Sequence, residues 1–487
     1  MTAFAIATPE IFLLAALCLV LLIGLFFQHE SQVVTYLTTL LALLSTALLT
    51  YGSSFGKRVR EVGLDRMYIL DDLSGLLKVS ILLLSCMYFV YARKYLRDQA
   101  IWRSEFFVLS MTATLGMMII VSGYHILVLY LGLEMLSLSL YALIAMRRDH
   151  SHAVEAAMKY FILGALASGL LLYGVSLLYG LSGTLAIDQL AIYFSSEKDQ
   201  LATNLPALLA LVFIVAGMSF KLGIVPFHFW LPDVYEGAPT AMTLFLSSIP
   251  KVAALALMIR FLAEGMGAIS EQWGQLLLML GLLSVVFGNM AAIAQTKLKR
   301  MLAYSTIAHM GFIFVGMMTA THTGYSAALF YTLVYALMTM GAFAVLIMLG
   351  QQGAEPEDLE DLRGLHERHP WVAFMMLLIL LSMLGFPLTV GFYAKLTIIQ
   401  ALVDVRLVWA AVILVVMSVI GAFYYLRLIK IMYFDKPLSQ QPLQAGLDFH
   451  VLLSVNGLLM LALGVFPSAL MAICSSVLFE VFKTGNL

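Results

Sequence analysis

The chain is poor in charged residues, which make up 11% of its 487 residues, against about 25% in soluble domains. Hydrophobic residues make up 62%, and the mean hydropathy is +0.97. A chain this apolar cannot cover a globular surface with polar groups, so a soluble, disordered or collagen-like protein is excluded. The composition predicts a polytopic membrane protein. Its formal net charge of −1 leaves no basic face for nucleic acid.

The sequence also lacks the signatures of cofactor sites. Its three cysteines lie far apart in apolar runs, at Cys18, Cys86 and Cys474. No CxxC or Cys/His spacing occurs, so we expect no iron–sulfur cluster, no metal and no other cofactor in this chain. Neither a P-loop nor a GxGxxG motif after a strand is present.

The sequence also predicts neither a soluble domain nor a cleavable leader. The longest polar stretches, 52–71, 182–205 and 351–370, are too short to form a domain. No basic residue precedes Lys57, whereas a secretory signal needs a positive first segment. We therefore expect the first apolar run to be a retained membrane span.

Apolar windows long enough for a membrane helix, about 20 residues, recur along the chain. They are residues 11–28, 33–56, 73–92, 106–124, 126–146, 160–187, 206–225, 240–259, 272–296, 301–354, 371–403, 407–426 and 451–479. The window 301–354 has no Asp, Glu, Lys or Arg and is long enough for two helices that turn near Thr321–Gly324. The sequence therefore predicts an all-α polytopic membrane protein with about fourteen transmembrane helices.

Basic residues in the loops predict the orientation of the chain. With the N-terminus outside, the inner loops hold Arg93, Lys94, Arg97, Arg103, Arg147, Arg148, Lys297, Lys299, Arg300, Arg363, Arg368, Arg427, Lys430 and Lys436. The outer loops hold fewer, namely Lys57, Arg58, Arg60, Arg66, Lys198, Arg260, Arg406 and Lys483. This bias predicts that both termini lie on the outer side of the membrane.

Glu134 is an ionisable residue inside an apolar window, which is costly in a bilayer and therefore indicates function. In YLGLEMLSLSLY it shares one helical stripe with Tyr130, Ser137 and Tyr141. A carboxylate among hydroxyls can hold or pass a proton. The alternative is a structural ion pair that fixes the helix register.

Lys221 stands beside a predicted helix break in MSFKLGIVPFHFWLPDVYEGAPT. Pro226, Pro232 and Pro239 cannot all occupy one regular helix. Broken helices at membrane depth face protein or water and mark ion sites in transporters. A buried lysine near a carboxylate is a switchable proton carrier, whereas the alternative is a lysine that snorkels to the interface.

Two further lysines lie in similar settings. Lys251 ends a polar stripe that indicates a hydrated path along a helix, made of Thr240, Thr243, Ser247 and Lys251. Its alternative is pairing with a structural carboxylate. Lys395, in GFPLTVGFYAKLTII, follows Pro387 and predicts a second broken helix.

Other ionisable residues give weaker signals. Lys78 lies near a helix end and is expected to snorkel. Glu155 and Lys159, spaced i, i+4, form either a proton relay or a plain intrahelical pair. His309 is either a relay or a satisfied core residue, and His228, beside the first break, is equally open.

Three polar side chains on the span after His309 are expected to serve packing rather than chemistry. They are Tyr331, Tyr335 and Thr339.

The two halves of the chain repeat one pattern in mirror order. Lys221 precedes its proline, whereas Lys395 follows Pro387. This order indicates inverted repeats, a common design in transporters.

Four segments resemble a known family. YLGLEMLSL, FKLGIVPFHFWLPDVYEGAP, QTKLKRMLAYSTIAHMGF and GFPLTVGFYAKL are similar to the antiporter-like membrane subunits of respiratory complex I, the NADH:quinone oxidoreductase, and most of all to the subunit N type. The resemblance covers nearly the whole chain and most strongly residues 104–433. One departure is Pro250, where the family pattern leads us to expect a small residue before Lys251.

The resemblance implies two inverted five-helix repeats that contain broken helices. Its expected divisions are 1–103 for the first three spans, 104–263 and 264–436 for the repeats, and 437–487 for the last span. Glu134 and Lys221 are then a coupled pair, Lys251 a central relay and Lys395 the terminal site. His309 lies on the linking path.

The resemblance also implies what surrounds the chain. Sister antiporter-like subunits are the expected partners, and FMN and iron–sulfur clusters are expected in partner subunits. The expected function is proton translocation coupled to redox chemistry elsewhere in the complex. A subunit of a Mrp-type Na⁺/H⁺ antiporter is the alternative, because the same lysines would serve it. An independent solute permease is a third possibility, but it would need a larger and more varied polar site.

Overall fold

The structure is a computed structural model that describes residues 4–26, 32–54, 60–197, 204–350, 355, 357–437 and 445–483. The predicted outer-loop residues Lys57, Arg58 and Lys198 lie outside the described residues, as do both ends of the chain.

Helices dominate the first half of the chain, and one small hairpin interrupts them. After a 3₁₀ turn at Ala5–Ala7, the elements are α1 (Thr8–Phe26), α2 (Gln32–Ser54), β1 (Glu61–Gly63), β2 (Tyr68–Leu70), α3 (Asp72–Asp98), α4 (Ser104–Ser122), α5 (Ile126–Ile144), α6 (Ser151–Ser182), α7 (Ile187–Ser196), α8 (Leu205–Leu222), α9 (Trp230–Gly237) and α10 (Thr240–Met258, continued as a π-helix Ile259–Gly265). The two strands pair antiparallel, with Glu61 opposite Leu70.

The second half is helical throughout its described residues. It begins with a 3₁₀ turn at Gly267–Ile269 and comprises α11 (Ser270–Ile293), α12 (Leu298–Met318), α13 (His322–Leu349), a 3₁₀ turn at Leu359–Leu362, α14 (Leu365–Arg368), α15 (Pro370–Leu384), α16 (Val390–Asp404), α17 (Val408–Phe434), α18 (Leu447–Val465) and α19 (Pro467–Lys483). The predicted turn near Thr321–Gly324 is the junction of α12 and α13.

The predicted polytopic all-α fold is confirmed. Across the described residues, thirteen helices are long and apolar enough to cross a membrane. The remaining predicted span, 371–403, is divided between α15 and α16, which have 15 residues each. The predicted span 451–479 is likewise divided into α18 and α19 just before Pro467, which cannot continue the hydrogen bonding of α18.

Burial separates a central group of helices from a lipid-facing shell. The most apolar window of α10 is 100% buried inside the protein, and those of α12 and α13 are each 89% buried. By contrast, the corresponding windows are 22% buried in α1 and 28% buried in α17. Side chains of α10, α12 and α13 are therefore shielded from lipid, and polar groups on them must find partners within the protein.

Both predicted helix breaks are present and have the same backbone geometry. α8 ends at Gly223, whose φ is +75°, and α15 ends at Gly385, whose φ is +88°. At the first break the Gly223 amide donates to the Phe220 carbonyl and the next amide donates to Ser219. At the second, the Gly385 amide donates to Ser382 and the next amide to Leu381. Both helices thus end in a Schellman cap, in which glycine takes the left-handed conformation that other residues avoid.

Pro250 does not break its helix. α10 continues from Thr240 through Pro250 to Met258. The departure from the family pattern therefore leaves Lys251 on a continuous helix.

Candidate functional site

Glu134, Lys221 and a serine on a third helix form a hydrogen-bonded chain. The Ser168 hydroxyl on α6 donates to Glu134 Oε1 on α5. Lys221 Nζ donates to the Ser137 hydroxyl at 2.9 Å and to the Ser168 hydroxyl at 3.5 Å. Among the ion pairs of the described residues none joins Lys221 to Glu134 directly. Ser168, which no motif of the sequence singled out, links the two charged groups.

Lys251 lies almost completely buried in the middle of α10. Its Nζ is 5.7 Å from the centre of the Trp230 ring, a distance at which a cation is attracted to an aromatic face. No carboxylate pairs with it among the described residues, which therefore give no support to the alternative of a structural ion pair. The Thr243 hydroxyl on its stripe donates to the Tyr235 carbonyl at 3.3 Å, and Ser247 donates to the Leu244 carbonyl at 3.1 Å.

His309 is buried on α12 and hydrogen-bonded at both ring nitrogens. Nδ1 lies 2.7 Å from the Tyr331 hydroxyl, and Nε2 lies 3.0 Å from the Tyr425 hydroxyl. The Tyr425 hydroxyl is also 2.5 Å from the Ser305 hydroxyl. Tyr331, which was expected to serve packing, also contacts the histidine through its hydroxyl. Sequence reasoning missed Tyr425, which lies on a helix 116 residues away.

Tyr335 also makes a polar contact. Its hydroxyl donates to Thr306 Oγ1 at 2.8 Å, while Thr339 is buried on the same helix.

Lys395 reaches back from α16 to the end of α15. Its Nζ donates to the Leu384 carbonyl at 2.8 Å, the last carbonyl before the break. A cation is favoured there by the partial negative charge at a helix C-terminus. Nζ also lies 5.6 Å from the centre of the Phe312 ring, one turn along α12 from His309.

Aromatic rings lie between the charged groups. Phe220 and Trp230 have ring centres 5.3 Å apart, and they stand between Lys221 and Lys251. Tyr331 stacks on Phe312 at 5.8 Å. Such faces stabilise ammonium groups without neutralising them.

Lys159 belongs to a different group, an ionic cluster beside α9. Its Nζ is 2.9 Å from Glu155 and 2.8 Å from Asp233. Arg300 contacts Asp233 at 2.8 Å and Glu236 at 2.9 Å. Lys159 therefore makes the predicted intrahelical pair and a second contact that sequence spacing did not reveal. Its part in a proton relay stays a prediction.

His228 lies in the turn between α8 and α9 and is buried. Its ring contacts Phe287 edge-on at 4.8 Å, and Nδ1 has no hydrogen-bond partner in the described part of the chain. The structure does not bring it into contact with Glu134, Lys221 or Lys251.

The expectation that Lys78 snorkels is wrong. Its side chain is 1% exposed and its Nζ lies 2.5 Å from Glu10 Oε1. The apolar window began at residue 11, which left out Glu10, yet α1 begins at Thr8. Glu10 therefore enters the protein interior on the first turn of α1 and supplies the charge that keeps Lys78 buried.

Arg260 is likewise not a loop residue, as the charge count assumed. It lies fully buried at the end of α10 and contacts Asp71 at 2.7 Å and Glu264 at 2.5 Å. Glu264 also contacts Arg60 at 2.6 Å. Burial alone would raise the pKa of Asp71, but Arg260 outweighs burial and lowers it. This cluster ties the end of α10 to the start of α3.

Glu355 was missed by sequence reasoning because it lies in a polar loop outside every apolar window. Its carboxylate pairs with Lys299 at 2.7 Å and Arg147 at 3.5 Å. It also accepts hydrogen bonds from the Tyr95 hydroxyl and from Thr240. Burial alone would raise the pKa of Glu355, but Lys299 and these hydrogen bonds outweigh it and lower the pKa to about 2.

The fold and the site together define a class, that of polytopic helical membrane proteins with lysines on apolar helices that pair with no carboxylate of the described residues, two of them beside helix breaks. A family model described as "NADH:quinone oxidoreductase/Mrp antiporter, TM" matches residues 123–421. The chain belongs to this family of membrane subunits, which confirms the resemblance seen in its motifs.

The relatives sharpen that assignment. The NADH-quinone oxidoreductase subunit N of Thioalkalivibrio sulfidiphilus (strain HL-EbGR7) is 50% identical over 470 residues, which cover 96% of this chain and 97% of the relative. A chain of respiratory complex I from Thermus thermophilus with bound aureothin is 32% identical, with a TM-score of 0.81, and the match covers 96% of this chain and 99% of that one. A chain of the Mrp complex from Dietzia sp. DQ12-45-1b shares the fold at 20% identity, with a TM-score of 0.84 and coverage of 100% and 98%.

Proposed function

We propose that this chain is a proton-translocating membrane subunit of an NADH:quinone oxidoreductase. The observation that carries the proposal is a set of three lysines on apolar helices, of which Lys251 is buried and Lys221 and Lys395 are partly buried. None of the three contacts a carboxylate in the described part of the chain. A lysine held by neutral partners can give up its proton without leaving an uncompensated buried anion. The names of the relatives at 50% identity favour complex I as the host assembly.

In this proposal Glu134 and Lys221 act as a switch. Ser168 bridges them in the present structure, so a small movement of α6 would open or close the contact. Lys251 is the central relay, His309 with its two tyrosines the linking group, and Lys395 the terminal site. Lys159 and His228 are assigned to the proton path as candidate relays, Lys159 from its spacing to Glu155 and His228 from its place beside the first break.

The energy required is modest. Moving one proton against 100 mV needs about 2.3 kcal/mol. A change of about 1.7 in the pKa of the group that carries the proton supplies this energy, since a change of one corresponds to about 1.36 kcal/mol. Redox chemistry in partner subunits would supply it, since FMN and iron–sulfur clusters are assigned to those subunits and no cofactor to this chain.

The same proposal covers organisation and location. Residues 104–263 and 264–436 form the two inverted repeats, preceded by 1–103 and followed by 437–487. The two Schellman-capped breaks support this division, because Lys221 precedes its break and Lys395 follows its break. The chain lies in the bacterial inner membrane beside sister antiporter-like subunits, with both termini on the periplasmic side.

A subunit of a Mrp-type Na⁺/H⁺ antiporter is the second candidate. The family model, which is described for both NADH:quinone oxidoreductase and the Mrp antiporter, favours it, whereas the Dietzia Mrp chain, at 20% identity, shows the fold alone.

Lys221→Ala tests the proposal in assembled complex. We expect NADH oxidation to continue while the number of protons pumped per electron falls by this subunit's share, because the switch has lost its cation. Acidification of inverted membrane vesicles by NADH measures the ratio. The control is Lys430→Ala, an exposed lysine paired with Asp435, which we expect to leave the ratio unchanged. An unchanged ratio in assembled Lys221→Ala complex would contradict the proposal.

A further inference from the structure

A large polar cavity, here called the vestibule, opens beside α9 and the first turn of α12. Its volume is about 800 Å³. Charged groups of both signs line it, among them Arg147, Lys159, Asp233, Lys297, Arg300 and Glu355. Such walls admit water and hydrated protons. The vestibule lies on the side that the basic loop residues assign to the cell interior.

Glu355 stands where the vestibule ends against the protein core. The cavity wall includes Pro239, which directly precedes α10, together with Lys299 and Glu355. Behind Glu355 lies Thr240, the first residue of α10, whose amide and hydroxyl both donate to the Glu355 carboxylate. The Glu355 side chain is 14% exposed and that of Lys299 is 6% exposed. The carboxylate therefore closes the cavity at the N-terminus of α10.

The polar stripe of α10 starts at this point. Thr240, Thr243, Ser247 and Lys251 lie on one face of the helix at i, i+3, i+7 and i+11. At 1.5 Å per residue, Thr240 and Lys251 are separated by roughly 16 Å along the axis. Glu355 is thus the ionisable group that connects the vestibule to the helix face bearing the central lysine.

Lys299 holds the Glu355 carboxylate in an ion pair at the inner end of the vestibule. Its Nζ donates to Glu355 Oε2 at 2.7 Å and to the Ala238 carbonyl at 2.9 Å. While this contact persists, the pKa of about 2 keeps the carboxyl deprotonated at neutral pH. When Lys299 withdraws, the strongest opposing charge is lost and the carboxylate can accept a proton from the vestibule.

The loop carrying Glu355 is anchored to the start of α12. The Leu298 amide donates to the Glu357 carbonyl at 2.8 Å, and the Leu359 amide donates to the Thr296 carbonyl at 3.0 Å. Lys297 adds an ion pair to Glu357 at 2.9 Å. Residues 357–359, which follow Glu355 closely in the chain, are therefore held against the start of α12, which carries Lys299. A movement of the Lys299 side chain is then enough to separate the pair.

We propose that Glu355 is the proton-loading residue of this subunit and that Lys299 is its lock. A hydrated proton in the vestibule transfers to the Glu355 carboxylate when Lys299 moves away, which leaves water and a neutral carboxyl group. The proton then passes to the Thr240 end of the α10 stripe on its way to the Lys251 amine, and the carboxylate recovers Lys299. This inference rests on the proposed function and adds the group that admits the proton.

Glu355→Gln tests the inference in assembled complex in inverted membrane vesicles. Glutamine keeps one acceptor oxygen for the Tyr95 hydroxyl and the Thr240 amide but cannot take up a proton. We expect NADH oxidation to persist and the proton-to-electron ratio to fall to the level of Lys251→Ala. The control is Glu360→Gln, an exposed residue of the next turn paired with Arg363, which we expect to pump normally.

The outcomes separate this inference from the proposed function. Normal pumping by Glu355→Gln together with reduced pumping by Lys251→Ala would overturn the loading role alone. Normal pumping by both variants would overturn the proposed function as well.

A second variant covers the case in which Glu355→Gln prevents assembly. Glu355→Asp keeps a carboxylate, so protonation during turnover would appear as a shifted carboxyl C=O band in the infrared difference spectrum of reduced minus oxidised complex. A difference spectrum identical to that of the unsubstituted complex would overturn the inference, because a carboxylate with a purely structural role takes up no proton.

Discussion

Buried cations fall into two groups according to their partners. Lys78, Arg260 and Lys299 each contact a carboxylate. Lys221 contacts serine hydroxyls and Lys395 contacts a backbone carbonyl. A carboxylate holds the proton on its partner and stabilises the charge in place, whereas neutral partners leave the amine free to exchange. We therefore expect the first group to maintain structure or to lock the path, and we assign proton transfer to the second group in the proposed function.

Apolar windows alone located the lysines but could not assign them to these groups. Lys78 and Lys251 both lie inside apolar windows. They differ in their partners, because Lys78 pairs with Glu10 and no carboxylate of the described residues pairs with Lys251. The partner in each ion pair is distant in sequence, as Glu355 is from Lys299, so spacing along one helix cannot predict it. Ser168 was missed for a related reason, since a serine in a helix is common and only its contacts across α5 and α8 distinguish it.

The Glu10–Lys78 pair gives a prediction about stability. Lys78→Met leaves Glu10 buried without a partner, which should destabilise the protein by about 3–5 kcal/mol. The double variant Glu10→Gln/Lys78→Met removes both charges and should recover most of that loss. Thermal denaturation of the purified complex, followed by loss of assembled subunits, measures both variants.

An exposed pair provides the comparison for this test. Arg66 and Asp188 are 3.1 Å apart with 52% and 34% of their side chains exposed. Arg66→Met should therefore cost less than about 1 kcal/mol. A double variant as unstable as Lys78→Met would show that packing, rather than charge, accounts for the loss.

The helix breaks are the elements that prolines and glycines predict best. Proline after Lys221 and before Lys395 signalled both interruptions. The sequence could not reveal that both helices end in the same cap, because that depends on which amide reaches which carbonyl. Nor could it show that Lys395 reaches back to the Leu384 carbonyl across the second break.

Gly385→Ala tests the second break. Gly385 has φ +88°, and an added Cβ would lie 3.0 Å from the Lys395 side chain. The left-handed conformation alone costs a residue other than glycine about 1–2 kcal/mol, and the methyl group would press on the lysine that caps α15. We expect reduced pumping with retained NADH oxidation, measured by the proton-to-electron ratio.

Gly180→Ala is the matched control for the break. Gly180 lies in α6, and an added Cβ would meet no atom within 4 Å. Alanine in a helix is more favourable than glycine by up to about 1 kcal/mol, so this variant should be neutral or slightly more stable. Normal pumping by Gly385→Ala would show that the cap geometry does not position Lys395.

At the scale of the whole molecule, α10 joins the two sides of the membrane. One end is held by Glu355 and Lys299, and the other end by Arg260 with Asp71. Lys251 lies between them on a helix that is shielded from lipid along its length. α3 runs alongside in the opposite direction, since its Tyr95 contacts Glu355 and Asp71 precedes its first residue. The two helices thus couple an ionic cluster at each surface to the central lysine.

The composition of the assembly provides the last prediction. The polar stretches of the chain are too short for a redox domain, so we expect NADH oxidation to reside in partner subunits. Gentle detergent purification through a tag on this chain, followed by mass spectrometry, should recover flavin and iron–sulfur subunits together with NADH oxidation. The same purification through an unrelated tagged inner-membrane protein is the control and should recover neither. Recovery of other small membrane subunits without redox partners would instead identify a Mrp-type antiporter, because the buried lysines serve both assemblies and only the partners differ.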